Sequence, residues 1–143
     1  MVETGGLTQA IAAPADKIVA ALLDFDSYPE WSDNMLAVRV MERDDEARPL
    51  LVRFVVDAKV RKVRYTSRYR YDLPHGFSWH MEHGDLKSLS GSYRFEPHAD
   101  GRTDVTIDIA FEVGFYVPGP IKRVIRDQAL RNSMQELRER VGA

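Results

Sequence analysis

Between Leu36 and Val113 the chain repeats one device six times: a run of alternating apolar and polar side chains, then a short turn. Alternation with period two sends successive side chains to opposite faces of a strand. Leu36, Val38 and Val40 form the first apolar set, and Leu50, Val52, Phe54 and Val56 the second. Val63, Tyr65, Ser67, Tyr69 and Tyr71 form the third, and Phe77, Trp79 and Met81 the fourth. Leu89, Gly91, Tyr93 and Phe95 precede a last set of Val105, Ile107, Ile109, Phe111 and Val113. Turn signals divide them: Asp44-Asp45-Glu46, residues 59–62, Pro74-His75-Gly76, Gly84-Asp85 and Asp100-Gly101. Strands joined this closely pair as an antiparallel meander. One face of such a sheet meets water, and the other must be covered.

The segments outside the meander supply the cover. Leu7 to Ala13 reads as one more strand, with Leu7, Gln9 and Ile11 in phase. Pro14 can open a helix over Ala15 to Leu23, which buries Ile18, Leu22 and Ala21. There follows Leu23-Asp24-Phe25-Asp26-Ser27-Tyr28-Pro29-Glu30-Trp31. Pro29 fixes its own φ and disfavours the α region for Tyr28, so two large aromatics bracket a forced turn, as suits a lid. Ile121 to Val141 contains no Gly or Pro and is expected to be one long helix. Its Leu130, Met134, Leu137 and Val141 make a single apolar stripe. Ile121, Val124 and Ile125 fall roughly opposite. The first half of this helix is therefore expected to turn Lys122 or Arg126 towards the interior, and to offer Ile121, Val124 and Ile125 to a loop, a partner or a membrane surface. A kink or a later helix start accounts for the pattern equally well. Seven twisted strands curl. The expected architecture is α+β: a curved seven-stranded antiparallel sheet gripping a long C-terminal helix, with a short helical lid after strand 1.

Composition narrows the function classes. The 143 residues suit one domain spanning 1–143, long enough to bury a core without staples. The absence of cysteine excludes disulfides, thiolate metal sites and a cysteine nucleophile. A net charge of −2 advertises no nucleic acid. The N-terminal residues lack the charged and apolar regions of a signal peptide, and no apolar run reaches the ~20 residues needed to span a bilayer. The expectation is a soluble cytoplasmic protein. His75, His80, His83 and His98 have no spacing that converges on a metal, Gly-x-Ser-x-Gly is absent, and no cofactor is implied.

The inward phase of the strands gathers Tyr65, Ser67, Tyr69, Trp79, Met81, Tyr93 and Phe111, aromatics with polar handles and one flexible thioether. These suit a flat or apolar ligand held by a few hydroxyls; the alternative is a filled aromatic core. Ser67 and Gly91 leave volume on that face, which favours a cavity. Tyr28 and Trp31 from the lid, with Arg126 and Leu130 from the final helix, complete the candidate ligand-binding set. Arg64, Arg68 and Arg70 line the outer face and are expected to pair with neighbouring carboxylates. Asp24, Asp26, Glu30 and Asp33 read mainly as caps and turn residues.

Three stretches resemble a known family: Pro14 to Val19 through Tyr28-Pro29-Glu30-Trp31, the segment Leu86 to Pro97, and the long final helix. The chain resembles the START-like, or polyketide cyclase and lipid transport, superfamily of helix-grip proteins, and in particular its small actinobacterial cyclase-like members. The resemblance covers nearly the whole chain and implies a hydrophobic cavity between sheet and helix. It specifies fold better than function, because this fold hosts binders, carriers and enzymes. The first functional expectation is binding or transport of a lipid, quinone or aromatic polyketide. The second is an aromatic polyketide cyclase or dehydratase, with Tyr65, Tyr69 and Arg126 moving protons. The third is a protein-interaction module like the ribosome-associated relatives, pairing with itself or another protein through Ile121, Val124 and Ile125.

Overall fold

A computed structural model describes residues 2–58 and 61–142. Seven strands form one antiparallel sheet: β1 (Glu3–Ile11), β2 (Met35–Arg43), β3 (Pro49–Asp57), β4 (Lys62–Asp72), β5 (Gly76–Gly84), β6 (Ser88–Pro97) and β7 (Thr103–Glu112). Their order is β1-β7-β6-β5-β4-β3-β2. The meander thus runs from β2 to β7, and β1 returns to pair with β7, Glu3 opposite Phe111 and Ile11 opposite Thr103. Three helices accompany the sheet: α1 (Ala15–Leu23), the four-residue α2 (Tyr28–Trp31) after a 3-10 turn at Phe25–Ser27, and α3 (Gly119–Arg140). This is the helix-grip arrangement expected from the pattern.

The starts of two elements differ from the pattern. Strand β1 starts at Glu3 rather than Leu7, because β7 continues to Glu112 and offers partners to the extra residues. Helix α3 starts two residues before Ile121, with Pro120 in the first turn, where its missing N–H costs nothing. Part of the turn expected at residues 59–62 falls on residues 59 and 60, outside the described residues. In β2 a register shift between Met35 and Ala37 breaks the simple alternation. The bulge turns Met35 inwards and leaves Leu36 exposed, against its expected inward phase.

Helix α3 lies along β1 on the apolar side of the sheet. Its stripe of Leu130, Met134, Leu137 and Val141 is buried, as the spacing predicts. Close approach needs Gly5: a Cβ there would stand 3.0 Å from Leu130 Cδ1 and from Arg126 Cδ. Arg126 Nη1 donates to the Thr4 carbonyl and Arg138 Nη2 to the Ala10 carbonyl, each at 3.2 Å. Two arginines from α3 thereby satisfy carbonyls of an edge strand that would otherwise invite another chain. Ile18 and Leu22 of α1 join Ile11, Val52, Val105 and Leu137 at the centre of the core.

Candidate functional site

The curled sheet and α3 do not meet everywhere. A cavity of about 270 Å³ lies between them. Its walls are mainly aromatic, because β4, β5, β6 and β7 project rings from their inward phase. Tyr65, Tyr69, Phe77, Trp79, Tyr93 and Phe111 line it from the sheet, and Phe54 from β3. Tyr69 and Trp79 stack at 5.8 Å between centroids, and Trp79 and Tyr93 tilt at 5.6 Å. Ring pairs of this geometry prefer offset or edge contacts and hold one another rigid. Ile109 and Val113 continue the wall towards the loop after β7.

The lid closes one side. Phe25, Tyr28 and Trp31 pack as an aromatic ladder, 5.0 Å between successive centroids, and all three face the cavity. Tyr28 was expected outside the α region and instead adopts φ −52°, ψ −43°. A proline in a first helical turn needs no hydrogen-bond partner, and the contacts of Tyr28 offset the steric preference of a pre-proline residue. The Tyr28 hydroxyl donates to the Leu22 carbonyl, which ties the lid back to α1. Glu136 of α3 ties it forward, accepting from Ser32 Oγ at 3.2 Å and from the Asp33 N–H at 2.9 Å. Two of the four acidic residues of the lid make local contacts: Asp24 accepts from Ser27 Oγ at 2.7 Å, and Asp26 lies 3.6 Å from Arg43.

Four residues of the expected set lie outside the lining. Ser67 is completely buried, and its hydroxyl has no partner among the described residues. Phe25 packs edge-on against Tyr69 and Phe54. Met81 pairs with Ser67 beside a register shift between β4 and β5 and is not among the lining residues. Arg126 stands one residue, about 100° of helix, beyond the inward Ile125. Glu3 of β1 lies 3.6 Å from its Nη1, and Asp127, next to it on α3, accepts from its Nε at 2.9 Å. Leu130 packs on Gly5 in the core. Gly91 also leaves no free volume: a Cβ there would lie 2.3 Å from Trp79 Cζ2, so the indole already occupies that space.

Of the residues Ile121, Val124 and Ile125, the first two are exposed while Ile125 lines the cavity. The inward face of α3 is Lys122, Ile125, Ala129, Asn132, Ser133 and Glu136, spaced as one side of a helix. Sequence reasoning missed most of it, because this face mixes apolar, amide, hydroxyl and charged groups and carries no amphipathic signature. Reading outward from the stripe at Leu130 and Met134 by helical period would have found it. Phe54 and Phe77 were legible as apolar strand residues but not as walls, and Phe25 was read only as part of the lid segment.

The polar groups of the cavity gather where the lid meets α3. Ser32, Asn34, Asn132, Ser133 and Glu136 line this region, and the Tyr93 hydroxyl lies beside Ser133 and Glu136. The Trp31 indole N–H is buried without a hydrogen-bond partner among the described residues. Burial pushes the phenols of Tyr28, Tyr65, Tyr69 and Tyr93 well above their ordinary range, because the charged form would lose its water. These hydroxyls stay protonated at neutral pH and can donate hydrogen bonds. Glu136 is the one carboxylate, and Lys122 the one ammonium, among the lining residues.

A wider depression of about 880 Å³ lies on the solvated face of the sheet, over Gly6, Ser78, Ser90 and Ser92. Tyr69 and Trp79 are the two large aromatics of its lining, which otherwise consists mostly of glycines, small polar residues and charged side chains. Arg68 at its rim pairs with Glu82 at 2.5 Å and Glu42 at 3.5 Å, the outer-face pairing expected from the strand pattern. Among the described residues no helix is long and apolar enough to cross a membrane.

Comparisons with known proteins agree with this geometry. The family model for polyketide cyclase / dehydrase and lipid transport matches residues 11–138. The granaticin polyketide synthase bifunctional cyclase/dehydratase of Streptomyces violaceoruber is 28% identical over 134 residues, 91% of this chain. The chain spans 40% of that relative's length. Among solved structures, a START superfamily protein from Mycobacterium smegmatis superposes with a TM-score of 0.88 at 22% identity, covering 97% of each chain. The Zhui aromatase/cyclase of Streptomyces sp. R1128 superposes with a TM-score of 0.80 at 21% identity, covering 99% of this chain and 93% of its own. A matched family model that runs from the end of β1 almost to the end of α3 leaves one assignment: the chain belongs to the polyketide cyclase/dehydrase and lipid transport family.

Proposed function

We propose that the protein binds a compact hydrophobic or aromatic small molecule between the sheet and α3. The observation that carries this reading is the aromatic cavity, walled by β4 to β7 and closed by Phe25, Tyr28 and Trp31. Its volume lies just below the range of about 300–1,000 Å³ usual for ligand sites, which favours a small ring system or a single chain over a two-chain lipid. Apolar burial at roughly 25 cal/mol per Å² supplies the affinity. Tyrosine hydroxyls and the Trp31 N–H donate to an acceptor on the ligand, and Glu136 accepts from a donor.

The two tryptophans of the chain, Trp31 and Trp79, both line the cavity, so their fluorescence reports occupancy. Titration with a flat tricyclic aromatic such as anthraquinone should give saturable quenching at one site. Ala129→Phe, which fills the helix side of the cavity, should weaken it at least tenfold. Unsaturable quenching, or equal affinity in the variant, would remove the site.

The granaticin cyclase/dehydratase relative favours a second reading, cyclisation of a linear poly-β-ketone in the same cavity. Walls that fold the chain would contribute positioning, Glu136 would take the proton of the attacking carbon and return it to the new hydroxyl, and the protonated tyrosines would hydrogen-bond the carbonyl oxygens on which charge develops. Tyr65→Phe and Tyr69→Phe should then lower turnover by roughly 10²-fold or more with binding retained. Unchanged turnover would assign those hydroxyls to binding alone.

A further inference from the structure

The lining of the cavity is charged at its two ends and uncharged between them. Lys122 and Glu136 share the inward face of α3, fourteen residues apart. That separation is about 21 Å along the helix, or roughly four turns. At one end Glu136 accepts hydrogen bonds from Ser32 Oγ and the Asp33 N–H, with the Tyr93 hydroxyl beside it. At the other end Lys122 stands near the finish of β7, where Leu86, Val113 and Phe115 also line the cavity. Between the two, Ile125 and Ala129 border the aromatic wall. A volume of about 270 Å³ drawn out over this length is narrow.

Lys122 differs from Arg126, one turn further along, which is engaged by Glu3 and Asp127. No ion pair among the described residues includes Lys122. The carboxylate near it is that of Glu112, and Lys87 Nζ reaches the same group at 3.8 Å. Asp85, in the turn that carries Leu86 and Lys87, accepts instead from the Arg64 N–H at 2.8 Å. Two ammonium groups thus share Glu112, and the Arg61 guanidinium stands over the Phe115 ring of the same lining, 4.6 Å from its centroid. The lid end holds one carboxylate and no cation among its lining residues. Lys122 is half-buried, so water competes less for its charge than it would on the open surface.

We infer that the cavity takes an apolar carboxylate, aromatic or single-chain, in one orientation. Its carboxylate sits on the Lys122 ammonium, its body lies between α3 and the aromatic wall, and its far end points to the lid. In the reverse orientation the acid would face Glu136, a like charge with no cation beside it in the lining. A hydroxyl at the far end would instead find an acceptor there. The inference rests on the ligand-binding reading above and deepens it, since an apolar body alone requires no charge.

The test compares anthraquinone-2-carboxylate with anthraquinone by tryptophan quenching of the full chain at neutral pH and low salt. The carboxylate should bind at least roughly tenfold more tightly, the lower end of what a hydrogen bond to a charged group contributes. That advantage should shrink as salt is added. In Lys122→Met it should disappear. Arg123→Met removes an exposed cation outside the lining and should leave the advantage in place. Reading the ratio of the two affinities cancels any general change of packing in a variant. Saturable quenching by both compounds with equal affinity, or an undiminished advantage in Lys122→Met, overturns this inference and leaves the cavity reading standing. Absence of saturable quenching by either compound would overturn the cavity reading itself, and this inference with it.

Discussion

Trp79 and Gly91 show how one residue sets the form of the cavity wall. They face each other across β5 and β6, and the indole lies flat because Gly91 has no side chain. An alanine there would meet Trp79 Cζ2 at 2.3 Å and the Asp108 carbonyl oxygen at 2.9 Å. Gly91→Ala should therefore force the ring into the cavity and destabilise the fold by about 1–3 kcal/mol, read from the urea midpoint. Trp79→Ala in the same chain should recover part of that loss, since the two effects share one contact. An unchanged midpoint for Gly91→Ala would show that the indole is not confined there. The inward phase of Tyr65, Tyr69, Trp79, Tyr93 and Phe111 was legible in the sequence, because period-two alternation leaves no second choice. What Gly91 does was not, because a missing side chain looks the same in sequence whether the space is empty or taken from across the sheet.

At the scale of the element, α3 has two faces with different duties. Leu130, Met134, Leu137 and Val141 hold it to the sheet, and the face from Lys122 to Glu136 borders the cavity. Leu137 is completely buried, so Leu137→Ala should cost about 2–5 kcal/mol. Ile125 already borders open space and has fewer contacts to lose. Ile125→Ala should cost only about 1 kcal/mol while altering which ligand size binds best. Chemical denaturation of both variants, with quenching titrations of the second, separates the roles; equal costs would mean that the cavity face is packed. The structural stripe was legible because its spacing is regular. The cavity face was not, and Arg126 was placed inside on the strength of its position alone. The bonds that hold Arg126 to β1 depend on the lateral offset between helix and strand, which is a tertiary quantity. Strand boundaries failed for the same reason: β1 begins where β7 offers it partners.

For the molecule as a whole, the alternation of six segments and one long final helix was enough to imply the helix-grip architecture, and the resemblance named the family. Whether such a grip is filled or hollow depends on how the sheet coils, which bulges at Met35 and Thr66 help to set and which no residue pattern states. The structure leaves a space with aromatic walls and a lid fastened at both ends by Tyr28 and Glu136. These parts form one account: the sheet builds the walls, α3 limits the volume, and the lid covers one side. The most direct measurement is native mass spectrometry of the protein purified without detergent, before and after addition of a panel of compact aromatics, with organic extraction of whatever is retained. The account predicts a one-to-one complex with a compact apolar or aromatic molecule, and loss of that added mass in Ala129→Phe. A protein that takes up none of the panel, or that binds as well with Ala129→Phe, would contradict it.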